Sequence, residues 1–389
     1  MIKSKSFTQF DATRTPSPCF VVDEVAIEDN LKILMRVQEE SGAKILMALK
    51  AFSMFNLAPL ISSYLKGTCA SGLHEARLGR EEFGGEVHTF SAAYTESDLK
   101  EILKISDHVV FNSFSQWQRF QGLIQEAKKT NPHLEFGLRV NPMHSEGALP
   151  IYDPCAPGSR LGITKEAFQG QSLDGISGLH FHTLCEQAYE PLDRTLDAVE
   201  EQFGEWLHTL KWVNFGGGHH ITREDYDVDA LIKRIKDFQE KYAVQVYMEP
   251  GEATAIHSGV LVAEVLDLTY NQMDLAILDT SATCHMPDTL EMPYRAEIFN
   301  SGEKDAKKHN YRLGGQTCLA GDVMGDYSFD RPLDIGQRLI FDDMAHYTMV
   351  KTSTFNGIGL PSLAVWNSKT DELRIVKQFA YEDFRNRLS

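Results

Sequence analysis

Short apolar, β-branched runs recur along the first two thirds of the chain with helix-length amphipathic segments between them, and this alternation limits the fold more than any other feature. Eight such runs can be marked: KILMALK ending at Lys50, GTCAS around Cys69, VHTFSA around Thr89, HVVFN ending at Asn112, EFGLRVN ending at Asn141, GISGLHFH ending at His182, WVNFGGG ending at Gly218 and QVYMEP ending at Pro250. Two intervening segments have clear helical periodicity. Val25 to Glu40 puts Ile27, Leu31, Leu34 and Met35 on one face, and Leu231 to Tyr242 does the same with Ile235 and Phe238. Eight βα units closing on themselves predict an α/β fold, a (β/α)8 TIM-type barrel.

Past Gly251 the pattern changes to strands without long helices: GVLVAEVLDL, LAILDTS, YRLGGQTC, QRLIFDD and ELRIVK. These predict a second, mainly antiparallel β-domain, which the early run CFVVD could join. The expected division is a barrel over 24–258 and a discontinuous β-domain of 1–23 plus 259–389. A length of 389 residues suits two domains.

No apolar run is long enough to span a bilayer, and no apolar stretch follows the lysines of the amino-terminal segment. A cytoplasmic location is therefore expected. Six scattered cysteines without CxxC pairing argue against a disulfide framework or a structural zinc site. A formal net charge of −17 disfavours nucleic acid and favours cationic small molecules such as polyamines, although acidity for solubility alone would give the same sign.

In a barrel of this kind the chemistry gathers at the carboxyl ends of the strands. Lys50 ends the first run; burial there would lower its pKa and favour imine formation, whereas a solvated surface lysine is the plainer reading. Arg139 lies on the fifth run, and His180 and His182 end the sixth. The two histidines could stack on a ring or bind a metal as an HxH pair. Gly216, Gly217 and Gly218 after the seventh run could admit a phosphate to backbone amides or form a plain loop. Glu249 ends the eighth run, where it could face a heterocycle or simply precede a Pro-Gly turn.

Six motifs in order, ALKA at Lys50, HFHTLCE at His182, NFGGGHH at Gly216, MEPGEA at Glu249, GGQTCLAGD at Cys318 and HYTMVKTSTFNG at Tyr347, make the chain resemble the fold-type III pyridoxal 5'-phosphate (PLP) decarboxylases. These include ornithine, arginine and diaminopimelate decarboxylases and the carboxynorspermidine/carboxyspermidine branch. The fold implied is that of alanine racemase-like enzymes, and the resemblance covers essentially the whole chain. It implies PLP held as a Schiff base on Lys50, His182 stacked on the ring and Glu249 on the pyridine nitrogen. It further implies that Gly216 to Gly218 and Tyr347 hold the phosphate and that Arg139 lies in the cofactor site. Cys318 would govern reprotonation after CO2 leaves, reaching the site from the other subunit of a homodimer, and Asp322 would line the substrate pocket.

Two departures, Glu252 where the ornithine and diaminopimelate enzymes carry arginine and Leu319 where they carry an acid, resemble the carboxynorspermidine/carboxyspermidine branch. The implied reaction is decarboxylation of a carboxylated polyamine in spermidine or norspermidine synthesis, with no metal. Asp288 aligns with the acid that reads the distal amine in the ornithine branch, and Glu291 is its nearest competitor. The alternatives are a diaminopimelate, ornithine or arginine decarboxylase, an amino-acid racemase, a non-catalytic PLP- or polyamine-binding regulator, and a metal-dependent barrel hydrolase.

Overall fold

The computed structural model describes residues 2–147 and 150–389. The chain divides into two compact units, one formed by 29–254 and the other by 1–28 with 255–389.

Strand β1, Cys19–Asp23, is followed by the eight strands of the first unit: β2 (Lys44–Ala48), β3 (Gly67–Ala70), β4 (Glu86–Phe90), β5 (His108–Phe111), β6 (Glu135–Arg139), β7 (Gly178–His180), β8 (Trp212–Asn214) and β9 (Gln245–Met248). All pair in parallel, each with its successor, and β9 closes on β2. The eight runs read from the sequence are these strands, so the TIM-type barrel is correct. Parallel strands covered on both faces need near-continuous apolar sequence, and β5 is buried at every position.

The interior near the amino ends of the strands is filled by rings. His88 stacks on His108 with ring centroids 3.9 Å apart, and His108 stacks on Trp212 at 4.7 Å. Two glycines make room for that indole: a Cβ on Gly137 would come within 2.3 Å of Trp212, and one on Gly178 within 2.1 Å. Lys44 Nζ donates to Glu86 Oε1 at 2.6 Å, and the Tyr247 hydroxyl donates to Glu86 Oε2 at 3.0 Å. Burial would raise the Glu86 carboxyl, but His88 and Lys44 outweigh it and hold the group below its ordinary value. Glu86, His88 and His108 have metal-like spacing, yet the Lys44 ammonium already supplies the cation to Glu86.

The second unit comprises β1 with β10 (Gly259–Tyr270), β11 (Asp274–Leu278), β12 (His309–Gly314), β13 (Val323–Phe329), β14 (Arg338–Phe341), β15 (Ser362–Asn367) and β16 (Glu372–Lys377). They form one eight-stranded sheet in the order β13-β12-β11-β10-β1-β15-β16, with β14 also on β10. The sheet is mainly antiparallel; β1 runs parallel to β15, and β11 parallel to β12. Strand β1 lies within it, paired to β10 on one side and β15 on the other, and all five of its residues are buried. Phe7 and Phe10 pack on Trp366 at 5.0 and 4.9 Å, tying the amino-terminal segment to β15.

Candidate active site

At the carboxyl ends of the barrel strands the side chains converge on Glu249, one residue past β9. Asn214, the last residue of β8, donates from Nδ2 to Glu249 Oε1 at 2.7 Å, and His180 Nε2, at the end of β7, lies 3.3 Å from Oε2. Burial would push this carboxyl up, but His180 and Asn214 outweigh it and hold it at about 2. Burial also dominates His180, whose imidazole is held below its ordinary value against the pull of Glu249. Glu249 is thus an enclosed carboxylate and not the surface glutamate of a Pro-Gly turn.

Asn214 has a second task. Its Oδ1 accepts from the amide of Gly216 at 2.8 Å, linking the acid to the glycine turn. The amide of Gly217 donates to His182 Nδ1 at 2.9 Å. Accepting there requires an unprotonated Nδ1, in keeping with a ring held well below its usual value by desolvation and the charge of Lys50. His180 and His182 therefore turn to different partners. Arg139, buried in β6, donates from Nη2 to the carbonyl of His182 at 3.0 Å and stacks over Phe90 at 4.6 Å. Burial draws its guanidinium down to about 10.

The glycine turn admits no side chain. Gly216 and Gly218 have φ of 69° and 87°, and a Cβ on Gly216, Gly217 or Gly218 would meet a backbone oxygen at 2.5, 2.2 or 1.9 Å. A loop of bare backbone beside a buried carboxylate, with a neutral imidazole bonded to one of its amides, is chemically suited to PLP. It lets a phosphate approach the backbone closely and offers a fixed negative charge to a pyridinium nitrogen.

Lys50 departs from expectation in one respect. Strand β2 ends at Ala48, and Lys50 lies in the turn beyond it, exposed. A lysine desolvated at the end of a buried strand is not what the fold provides. Its charge nevertheless acts on Cys69, His180 and His182, which places it in the same constellation. Asn214 and Cys69 were not singled out from the sequence. Asn214 sat inside a motif noted for its glycines, and Cys69 is one of six dispersed cysteines whose thiol is raised by burial and Glu249.

The remaining predicted residues belong to the β-unit. Cys318 is exposed, and its amide donates to Asn356 Oδ1 at 2.8 Å. Asp322 is buried and accepts from Ser281 Oγ at 3.0 and 2.9 Å, from Thr317 Oγ1 at 2.7 Å and from the amides of Thr283 and Thr317, both at 3.2 Å. That carboxylate clasps the Cys318 loop to the segment after β11. Gly315 makes the clasp fit, since a Cβ there would lie 2.3 Å from Asp322 Oδ2. Tyr347 has φ of 53°. Asp288 and Glu291 share a single helical turn, and both meet Lys351.

The pattern of the family described as "Pyridoxal-dependent decarboxylase, C-terminal sheet domain" matches residues 19–345. The carboxynorspermidine/carboxyspermidine decarboxylase of Campylobacter jejuni is 45% identical over 379 residues, covering 95% of this chain and 97% of that protein. The carboxyaminopropylagmatine decarboxylase of Synechocystis is 43% identical over 375 residues, covering 96% and 95%. Among solved structures, the Campylobacter jejuni carboxynorspermidine decarboxylase complexed with norspermidine superposes with a TM-score of 0.88 at 43% identity, over 96% of this chain and 100% of that one. The diaminopimelate decarboxylase of Helicobacter pylori, complexed with L-lysine, shares the fold at a TM-score of 0.81 and 15% identity, over 96% of this chain and 97% of that one. The chain belongs to the pyridoxal-dependent decarboxylases, with PLP as its cofactor.

Proposed function

We propose that this decarboxylase acts on carboxynorspermidine, carboxyspermidine or both, releasing CO2 and the corresponding polyamine. The observation that carries the reading is likeness along nearly the whole chain to a decarboxylase of those compounds, including a structure holding norspermidine. The strongly acidic chain suits a cationic substrate.

In this reading Lys50 holds the cofactor covalently. The Gly216 to Gly218 turn and Tyr347 receive its phosphate, while Arg139 and His182 fix the wall around it. When bound, PLP supplies the sink for the electron pair left as CO2 departs. The Glu249 carboxylate, kept ionised by Asn214 and His180, would face the ring nitrogen and keep a proton there. Lys50 or Cys318 returns a proton to the substrate Cα. Cys318 acts from the partner subunit of a homodimer, a role suited to its exposure, and Asp322 holds its loop in place. Asp288 reads the distal ammonium, with Glu291 beside it. The cytoplasm is the compartment proposed: none of the six cysteines is in a disulfide, and no helix among the described residues is long and apolar enough to cross a membrane.

A second reading, carboxyaminopropylagmatine as substrate, is favoured by the Synechocystis relative. CO2 release by the purified enzyme, compared across carboxynorspermidine, carboxyspermidine, carboxyaminopropylagmatine, ornithine and diaminopimelate, tests both. The highest kcat/KM is expected with one of the first two. A preference for carboxyaminopropylagmatine would establish the second reading, and a preference for ornithine or diaminopimelate would overturn both.

A further inference from the structure

In the β-unit the two acids proposed to read the distal amine already have a cation of their own. Asp288 and Glu291 lie at i and i+3 of the single helical turn Asp288–Glu291, so their carboxylates share one side. Lys351 ends the 3-10 turn Met349–Lys351, and its Nζ donates to Asp288 Oδ1 and, at 3.0 Å, to Glu291 Oε2. Two carboxylates around one ammonium leave a local charge of about −1 at neutral pH.

This triad is built into the segments that carry the other predicted substrate groups. Ser281 ties the stretch before Asp288 to Asp322, and His285 Nε2 lies 3.0 Å from the carbonyl of Gly359. Asn356 receives the amide of Cys318. The acids proposed to read a distal amine are therefore already occupied by an alkylammonium of the chain itself. Chemically, a lysine side chain is a primary ammonium on a chain of methylenes, the same kind of group that ends a polyamine.

We propose that Lys351 is an internal mimic of the substrate's terminal ammonium, filling the Asp288–Glu291 pair in the resting enzyme and surrendering Asp288 when the polyamine binds. This rests on the reading that the pair recognises the distal amine. The exposures suit an exchange of partners. Asp288 is 18% exposed and Glu291 57%, so the more open acid can retain Lys351, itself 35% exposed, while the more enclosed one passes to the ligand. Exchanging one partly exposed ion pair for another alters the free energy little, so the displacement does not prevent binding. Lys351 thereby lowers the affinity for a cationic ligand.

The test is norspermidine binding to the PLP-loaded enzyme by titration calorimetry at one fixed ionic strength, with folding checked by circular dichroism. Lys351→Gln should bind norspermidine about fivefold tighter than wild type, a competing ion pair of that exposure being removed. Lys351→Arg should restore the wild-type affinity, and Asp288→Asn should weaken binding and abolish the gain when combined with Lys351→Gln. A merely structural lysine would not raise affinity when removed. Unchanged or weaker binding by Lys351→Gln, with Asp288→Asn still weakening it, would overturn the displacement and leave the decarboxylase reading intact. Unchanged binding by Asp288→Asn would overturn both the proposal and the assignment of the acidic pair.

Discussion

Glu249 concentrates opposing forces in one side chain. Burial favours its neutral form, while Asn214 and His180 favour the anion strongly enough to hold the carboxyl at about 2 against an ordinary 4.5. A carboxyl whose folded value is depressed contributes its stabilisation fully above the unfolded value and loses it as pH falls through the folded one. Glu249→Gln preserves an acceptor for Asn214 but removes the charge. The variant's unfolding free energy should therefore fall less steeply than wild type between pH 4.5 and 2, as measured by urea titration at several pH values. Identical slopes would show that the anion does not stabilise the fold. The same change should lower kcat about 10²-fold, the scale seen when a preorganised electrostatic partner of the reacting centre is removed. Lys50, His182 and Glu249 can be nominated from the sequence because each ends an apolar run or sits in a compact motif. Asn214 cannot, because its importance arises where β8 and β9 pair and bring its amide to the carboxylate.

Among the elements, the turn after β8 shows how backbone conformation serves a site. Gly218→Ala would place a methyl at φ 87° with Leu184 O only 1.9 Å away. Strain of that kind costs about 1–3 kcal/mol, and relief would shift the turn proposed to receive the phosphate. Thermal melting should show the loss of stability, and the purified variant should lose PLP on dialysis faster than wild type. Retention equal to wild type would show that the turn is not the phosphate cradle. The barrel strands could be read because burial on both faces makes them continuously apolar, while the β-unit concealed two strands. Strand β13 carries Gly325 at φ 139° and Asp326, which bonds Arg312 of β12 at 2.7 Å, so a cross-strand ion pair breaks its apolar pattern. Strand β15 is a six-residue run whose interior place in the sheet comes from pairing with β1, more than three hundred residues earlier.

For the whole molecule, the path of the chain decides what can fold alone. The β-unit is completed by the first residues: β1 lies between β10 and β15, its five residues buried, and the amides of Lys3 and Ser4 donate to Asp342 at 2.6 and 3.0 Å. A fragment of 255–389 would keep seven of the sheet's strands but expose the edges of β10 and β15 that β1 pairs in the intact chain, together with the faces of Val260, Val262 and Ala364 that Cys19 and Val21 cover. Unpaired, apolar edges of this kind associate with other chains. The fragment alone is therefore expected to aggregate or lack a cooperative unfolding transition. Supplying residues 2–28, joined through a flexible linker to residue 389 or 255, should restore one, because the missing strand forms most of its contacts within this unit. Circular dichroism melts and size-exclusion chromatography of the two proteins would decide it. A fragment that folds cooperatively without the first strand would mean that the sheet tolerates a gap at its centre and that β1 is held by the unit without helping to define it.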